Sequence, residues 1–285
     1  MSRKLASSRR KLWVVKAGSQ IICTGGPLLI RSWMQQIAHL KKSQGIDVVW
    51  VTSGAIASAI DRTGVLKPKK SGRRNLVAKQ ALSAIGQPLV MDLYSLALQV
   101  NGLLGAQILL TYDDLIPSGA TDRAGQKRRE NFKKTLKQLI EWGVTPILNE
   151  NDAVATEEIQ FGDNDRLSAI VAKTIKADQL VILTDVDGLY ERDPTKDPSA
   201  RLIERVDRVD SSILKKANGR SSSGRGRGGM LSKLMAAKEA SSAGICTWLV
   251  KGDRPTALVD IAMGHTRGTF FPGASQKSVA GKRRE

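Results

Sequence analysis

Aromatic side chains are scarce in this chain: they make up 4% of its 285 residues. The core must therefore be mostly aliphatic, and few rings are available to interleave with positive residues and stack the bases of a single-stranded nucleic acid. Histidine is scarcer still, with two residues. His39 falls in a helical stretch and His265 in a late turn, and neither has a serine or cysteine partner that would suggest a nucleophilic triad. The two cysteines, Cys23 and Cys246, form no CxxC or Cys/His pattern, which argues against a structural metal centre or a disulfide framework. Free thiols suit a reducing compartment. Positive residues open the chain without an apolar run behind them, and no run reaches the length of a membrane span. The expectation is a cytoplasmic protein without a membrane segment. No internal repeat and no clean interdomain linker interrupt the sequence.

Acidic residues are also in deficit, 27 against 45 Lys and Arg, for a formal charge of +18. Such an excess fits either a binder of anionic surfaces or a set of solvated basic faces. The positives fall in separate segments and not in one helix: Arg3 to Lys11, Lys67 to Arg74, Lys127 to Arg129, Arg220 to Arg227, and Lys282 to Arg284. That dispersal favours solvated faces, with any nucleic-acid binding weak and non-specific.

Short apolar runs without polar alternation recur as strands: Leu12–Val15, Val48–Val51, Gln107–Leu110, Thr145–Leu148, Gln179–Leu183 and Thr247–Val250. Helical spacing separates them. Ile30, Trp33, Met34, Ile37 and Leu40 mark one helix, with Gly45 as its stop signal. Others span Leu76–Leu98 (interrupted by Gly86 and Pro88), Asn131–Trp142, Arg166–Lys176 and Leu231–Ser242. The alternation predicts an α/β fold, a three-layer sandwich around a mostly parallel central sheet. Ligands of such sheets gather at the carboxyl ends of the strands.

Most of the small-residue loops lie at those ends. Lys16-Ala17-Gly18-Ser19 leaves the first strand, and Thr52-Ser53-Gly54-Ala55 leaves the second. Asn149-Glu150-Asn151-Asp152 and Gly162-Asp163-Asn164-Asp165 are dense in amides and carboxylates, against the basic trend of the chain. Thr184-Asp185 follows another strand, and Gly228-Gly229-Met230-Leu231-Ser232-Lys233 leads into a helix. Glycines let backbone N–H groups approach phosphate oxygens, and lysines neutralise transferred charge. Taken singly, each loop also reads as an ordinary helix cap or Asx turn. Two nucleotide signatures are excluded. Gly224–Gly229 fits GxGxxG but follows Ser221–Ser223 and not a strand, and Gly228–Lys233 lacks the Walker spacing.

In order and spacing these motifs resemble the amino acid kinase family, and within it the glutamate-phosphorylating members, from about Lys11 to Phe271. Asn149–Thr156, Gly162–Ala169, Val51–Ala57, Lys79–Leu82, Gly86-Gln87 and Gly268–Phe271 carry the likeness. The resemblance implies an amino acid kinase domain over residues 11–272, between a basic lead-in (1–10) and a basic tail (273–285). It implies ATP and Mg2+ as cofactors, L-glutamate as the phosphoryl acceptor, a place in proline biosynthesis and a homo-oligomer. Lys16, Lys233 and the organising Asp165 would be catalytic. Ser53, Asp152 and Asn164 would hold glutamate. Lys16, Gly18, Ser19, Thr184, Asp185, Arg227, Gly228, Gly229, Met230, Leu231, Ser232 and Lys233 would hold ATP, with no protein metal site. Gln20, Arg227 and Ser232 depart from the family's usual residues. Many members continue into a PUA module, which this chain is expected to lack. Another acceptor within the family, or a nucleic-acid binder on a decayed kinase scaffold, are the competing readings.

Overall fold

In the computed structural model the described residues are 9–64, 76–155, 164–218 and 229–274. Seven strands form one sheet in the order β3-β4-β2-β1-β5-β6-β7. They are β1 (Lys11–Ala17), β2 (Ile46–Val51), β3 (Gly105–Leu110), β4 (Thr145–Glu150), β5 (Gln179–Thr184), β6 (Cys246–Lys251) and β7 (Thr269–Phe271). All neighbours are parallel except β6 and β7, so the expected largely parallel sheet is present. The helices are α1 (Ser19–Ser43), α2 (Ala55–Thr63), α3 (Leu76–Val100), α4 (Tyr112–Leu115), α5 (Arg123–Glu141), α6 (Asn164–Ile175), α7 (Ser211–Asn218), α8 (Met230–Ser242) and α9 (Ala257–Met263).

Side chains of a strand alternate between its two faces, and the two cores follow that alternation. Val14, Val49, Val51, Leu148, Leu180 and Ile182 face one core, which is closed by α5, α6 and α8 through Phe132, Leu136, Ile170 and Leu234. Trp13, Val15, Val48, Trp50, Val181 and Leu183 face the other, closed by α1, α3 and α9 through Trp33, Met34, Val90, Tyr94 and Leu258. This is a three-layer sandwich. The first long helix is tied to the last segments of the chain. The Trp33 indole N–H donates to the Gly252 carbonyl at 2.8 Å, and the Leu258 N–H donates to Gln36 Oε1 at 2.8 Å.

Three local expectations are corrected. The Gly86 and Pro88 interruption does not occur, because α3 runs unbroken through both residues. Gly86 packs so closely on α2 that an added Cβ would lie 1.7 Å from the Ala55 carbonyl oxygen. Burial of Leu82, Val90, Tyr94 and Leu98 outweighs the hydrogen bond lost at Pro88. As one 25-residue helix, α3 is also long and apolar enough by composition to span a bilayer, where no such stretch was expected. In the fold it packs against α1 and α2 instead.

The third correction concerns charge. Helix α5 begins eight residues earlier than expected, where Asp122 accepts the Gly125 N–H at 2.8 Å as a cap. It thereby gathers Arg123, Lys127, Arg128, Arg129, Lys133, Lys134 and Lys137 into a single helix, so part of the excess charge is concentrated after all. Some of it is locally offset by exposed pairs: Arg128 with Asp114, Lys133 with Glu130, and Lys137 with Glu141. The segment 67–74, the basic lead-in up to residue 8 and the tail from residue 275 lie outside the described residues.

Candidate active site

The carboxyl ends of β1, β2, β4 and β5 and the starts of α1, α2, α6 and α8 share one edge of the sheet. Lys16 is the penultimate residue of β1 and does not leave the strand as expected; it is paired in register with Val51 and Ile182. Its Nζ lies 2.5 Å from Asp165 Oδ1. Lys233, in the first turn of α8, places its Nζ 3.1 Å from Asp165 Oδ2. The Ser232 hydroxyl lies 2.8 Å from the same oxygen.

All three charges are buried: Asp165 is 0% exposed, Lys16 1% and Lys233 8%. Isolated charges at such depth would be neutralised or expelled, so each depends on the others. Asp165 also stands in the first turn of α6, where the helix dipole favours an anion. Three of the surrounding helices begin at glycines that offer no side-chain cap: Gly18 on α1, Gly54 on α2 and Gly229 on α8. Gly54 sits at φ +93°, a conformation glycine reaches without strain. Their first backbone N–H groups therefore lack the usual serine or aspartate partner.

The residue before Asp165 belongs to a second, uncharged network. Asn164 Nδ2 lies 2.6 Å from the Thr52 carbonyl, 2.7 Å from Asn149 Oδ1 and 2.9 Å from Ser53 Oγ. Asn149 Nδ2 in turn donates to Gln87 Oε1 at 2.6 Å. The Thr52 hydroxyl donates to the Tyr94 hydroxyl at 2.9 Å, and Ser83 donates to Asp152 Oδ2 at 3.1 Å. Full burial pushes the Tyr94 phenol up to about 12. One helix-opening dipeptide, Asn164-Asp165, thus joins an amide cluster to a lysine-braced carboxylate.

Thr184 ends β5 and donates from its hydroxyl to Asp185 Oδ1 at 3.0 Å. The loop behind it is pinned by Asp187, which is bound by Arg254, by Tyr190 at 3.0 Å and by Arg267 at 3.4 Å. Burial works against the Asp187 charge, but these donors hold its carboxyl below the usual range. Ser19 and the exposed Gln20 open α1, and Met230 and Leu231 open α8. The structure therefore gathers Lys16, Asp165, Ser232 and Lys233 on one side, and Ser53, Asn164 and their supports on the other. Among the described residues Asp185 is bound by Thr184 and by neither group, and Arg227, Gly228, Gly162 and Asp163 lie outside those residues.

Sequence reasoning gave no site role to Ser83, Gln87 or Tyr94, although Gln87 belongs to a motif that carries the family likeness. Their signal was available: polar tips at helical spacing within an otherwise apolar helix. Among the described residues no group of three or more His, Cys, Asp or Glu side chains is arranged to cage a metal ion.

This fold and its lysine–carboxylate–lysine centre define a small-molecule kinase architecture, one that positions an anion without a Walker loop. The model of the amino acid kinase family matches residues 11–251, and the chain belongs to that family. Its relatives include a glutamate 5-kinase of Meiothermus ruber, 42% identical over 95% of this chain and 68% of its own length. A glutamate 5-kinase of Methylococcus capsulatus is 41% identical over 98% of this chain and 72% of its own. Among solved structures, an isopentenyl phosphate kinase of T. acidophilum superposes with a TM-score of 0.61 at 19% identity, covering 92% of this chain and all of that one. At that identity the likeness speaks for the fold alone.

Proposed function

We propose that the chain transfers the γ-phosphoryl group of ATP to the side-chain carboxylate of L-glutamate, yielding L-glutamate 5-phosphate and ADP, the first step of proline biosynthesis. The observation that carries this reading is the Asn164-Asp165 dipeptide, which sets an amide pocket directly beside a cationic one. The relatives named glutamate 5-kinase support the choice of acceptor.

Two anions must meet in this reaction, the acceptor carboxylate and the γ-phosphate. Lys16 and Lys233 offset their repulsion, and Asp165 holds both ammonium groups at fixed positions before substrate arrives. A carboxylate oxygen attacks phosphorus in line, the bond to the bridging oxygen breaks, and ADP leaves with that electron pair. The acceptor is already ionised at neutral pH, so the step requires no general base. The scarcity of histidine is then no obstacle.

Ser53, Asp152 and Asn164 hold the glutamate backbone groups. Gly18, Ser19, Thr184, Asp185 and the α8 start from Gly229 to Lys233 hold the nucleotide, with Arg227 and Gly228 assigned to it by the family likeness. Magnesium, when bound with the nucleotide, would supply charge neutralisation on its phosphates. Among the described residues no carboxylate cage is arranged for it, which suits an ion that is commonly held through substrate phosphates and water. We assign residues 11–272 to the catalytic unit, and the cytoplasm as its compartment, in keeping with the free thiols of Cys23 and Cys246. A homo-oligomer and only weak, non-specific contact with nucleic acid complete the proposal.

The test is an ADP-release assay with hydroxylamine trapping of the acyl phosphate, run over glutamate, acetylglutamate, aspartate, carbamate and nucleoside monophosphates. Hydroxamate formed with glutamate above all others is the expected result. Preference for another acceptor would overturn the assignment of substrate. RNA binding without any kinase activity would favour the decayed-scaffold reading.

A further inference from the structure

Helix α3 supplies no residue that the proposed chemistry uses, yet its polar side chains reach two of the acceptor-side segments, at Thr52 and at 149–155. Gln80, Ser83, Gln87 and Tyr94 stand at i, i+3, i+7 and i+14, which places them along one face of the helix. Gln80 Nε2 donates to the Ala155 carbonyl at 3.1 Å. Ser83 holds the Asp152 carboxylate, Gln87 holds the Asn149 amide, and Tyr94 accepts from Thr52. Ser83 is 3% exposed, Gln87 7% and Tyr94 0%. Polar groups that deep in an apolar helix are costly unless paired, and here each is paired with an acceptor-side loop. The missing Cβ at Gly86 seats the same helix directly against the Ala55 backbone, at the start of α2.

The chain of amides has a fixed direction. A backbone carbonyl only accepts, so the atom of Asn164 that lies 2.6 Å from the Thr52 oxygen must be its nitrogen. The Asn149 atom facing that nitrogen must then be oxygen, which turns the Asn149 NH2 toward Gln87, and Gln87 answers with Oε1. With both amides so oriented, the Asn164 oxygen is directed away from this network. An amide oxygen there accepts from an ammonium group and repels a carboxylate.

We propose that Gln87 and Ser83 are positioning residues for the acceptor substrate. Gln87 sets the amide polarity that lets Asn164 recognise an α-ammonium group, and Ser83 fixes the Asp152 carboxylate beside it. This rests on the acceptor role given above to Asn164 and Asp152. It identifies the recognised class as α-amino dicarboxylates, as distinct from their des-amino analogues.

The experiment compares wild type with Gln87→Met, Gln87→Glu and Ser83→Ala, each checked by thermal melting. KM is measured for ATP and for the acceptor that wild type phosphorylates best, and the ratio of kcat/KM for glutamate over glutarate is recorded. Gln87→Met removes the hydrogen-bond acceptor at similar volume. It should raise the acceptor KM about tenfold, the equivalent of one lost hydrogen bond, and leave the ATP KM unchanged. The glutamate-over-glutarate ratio should fall by a similar factor. Gln87→Glu keeps an oxygen facing Asn149 and should recover most of the loss. Ser83→Ala should raise the acceptor KM alone. Equal shifts in both KM values, an unchanged glutarate ratio, or no rescue by Glu would overturn the proposal. If wild type prefers an acceptor other than glutamate, the substrate assignment falls, while the KM split and the Glu rescue still decide the role of α3.

Discussion

Replacing Asp165 by Asn removes one charge and almost no volume, so its effect isolates electrostatics. The native carboxylate lies 2.5 Å from Lys16 Nζ and 3.1 Å from Lys233 Nζ, in a centre where none of the three is more than 8% exposed. The amide keeps an oxygen for one lysine but turns an NH2 donor toward the other. Two buried ammonium groups are then left facing each other across one side chain. At a separation of roughly 6 Å and an effective dielectric of about 20, their repulsion is about 3 kcal/mol. Breaking buried ion pairs by removing one partner typically costs about 3–5 kcal/mol, which agrees. Urea denaturation at pH 7 should therefore show the Asn variant about 3 kcal/mol less stable. Turnover should fall as well, because the lysines are no longer held in place. A loss under about 1 kcal/mol, or unchanged turnover, would refute the buried-triad reasoning.

Lys233→Ala should leave a folded protein whose glutamate phosphorylation is lower by about two orders of magnitude or more, corresponding to about 3 kcal/mol of transition-state stabilisation; near wild-type turnover would remove Lys233 from the catalytic set. Tyr94 is held at about 12 when folded and ionises near 10 when unfolded. Its contribution to stability is whole below pH ~10 and is lost as pH rises towards ~12, so Tyr94→Phe should flatten the alkaline limb of a stability–pH curve relative to wild type. Asn164→Ala should raise the glutamate KM far more than the ATP KM, and equal effects would make the amide cluster structural. Labelled RNA titrated at two ionic strengths should bind weakly and with a steep salt dependence, and charge reversal at Lys127, Lys134 and Lys137 on α5 should weaken it further. Tight, sequence-selective binding at physiological salt would make α5 a dedicated nucleic-acid site.

The buried strands were legible because burial on both faces leaves an uninterrupted apolar run, and β1, β2, β5 and β6 were each placed to within two residues. The site residues were harder to place on elements. Asn149 and Glu150 end β4, and Asn164 and Asp165 open α6, although amides and carboxylates read locally as turns. Their hydrogen bonds to Gln87, Thr52 and the lysines come from far along the chain and override local preference. Pro88 misled for the same reason: the packing of α3 against two other helices is not written in its own window. The antiparallel β7 has three residues and no periodicity to detect. At α5 the cap was present in the sequence as Asp122, but the charged first turns hid the apolar pattern that begins at Phe132.

The ties between the first long helix and the end of the chain have a consequence for synthesis. Gln36 and Leu258, joined by a buried hydrogen bond, are 222 residues apart, and the Trp33–Gly252 bond spans 219. At about 5–20 residues per second, the ribosome delivers the second partner on the order of 10–40 s after the first. Throughout that interval α1 lacks the segment that closes its core, and for about 3–14 s of it Asp165 waits for Lys233, 68 residues further on. The nascent chain cannot complete either the second core or the charged centre early, so part of its aliphatic surface stays exposed until the late segments arrive. Truncation anywhere before β6 is therefore a lesion of the whole fold, even though the first two-thirds of the chain already contain most of the sheet.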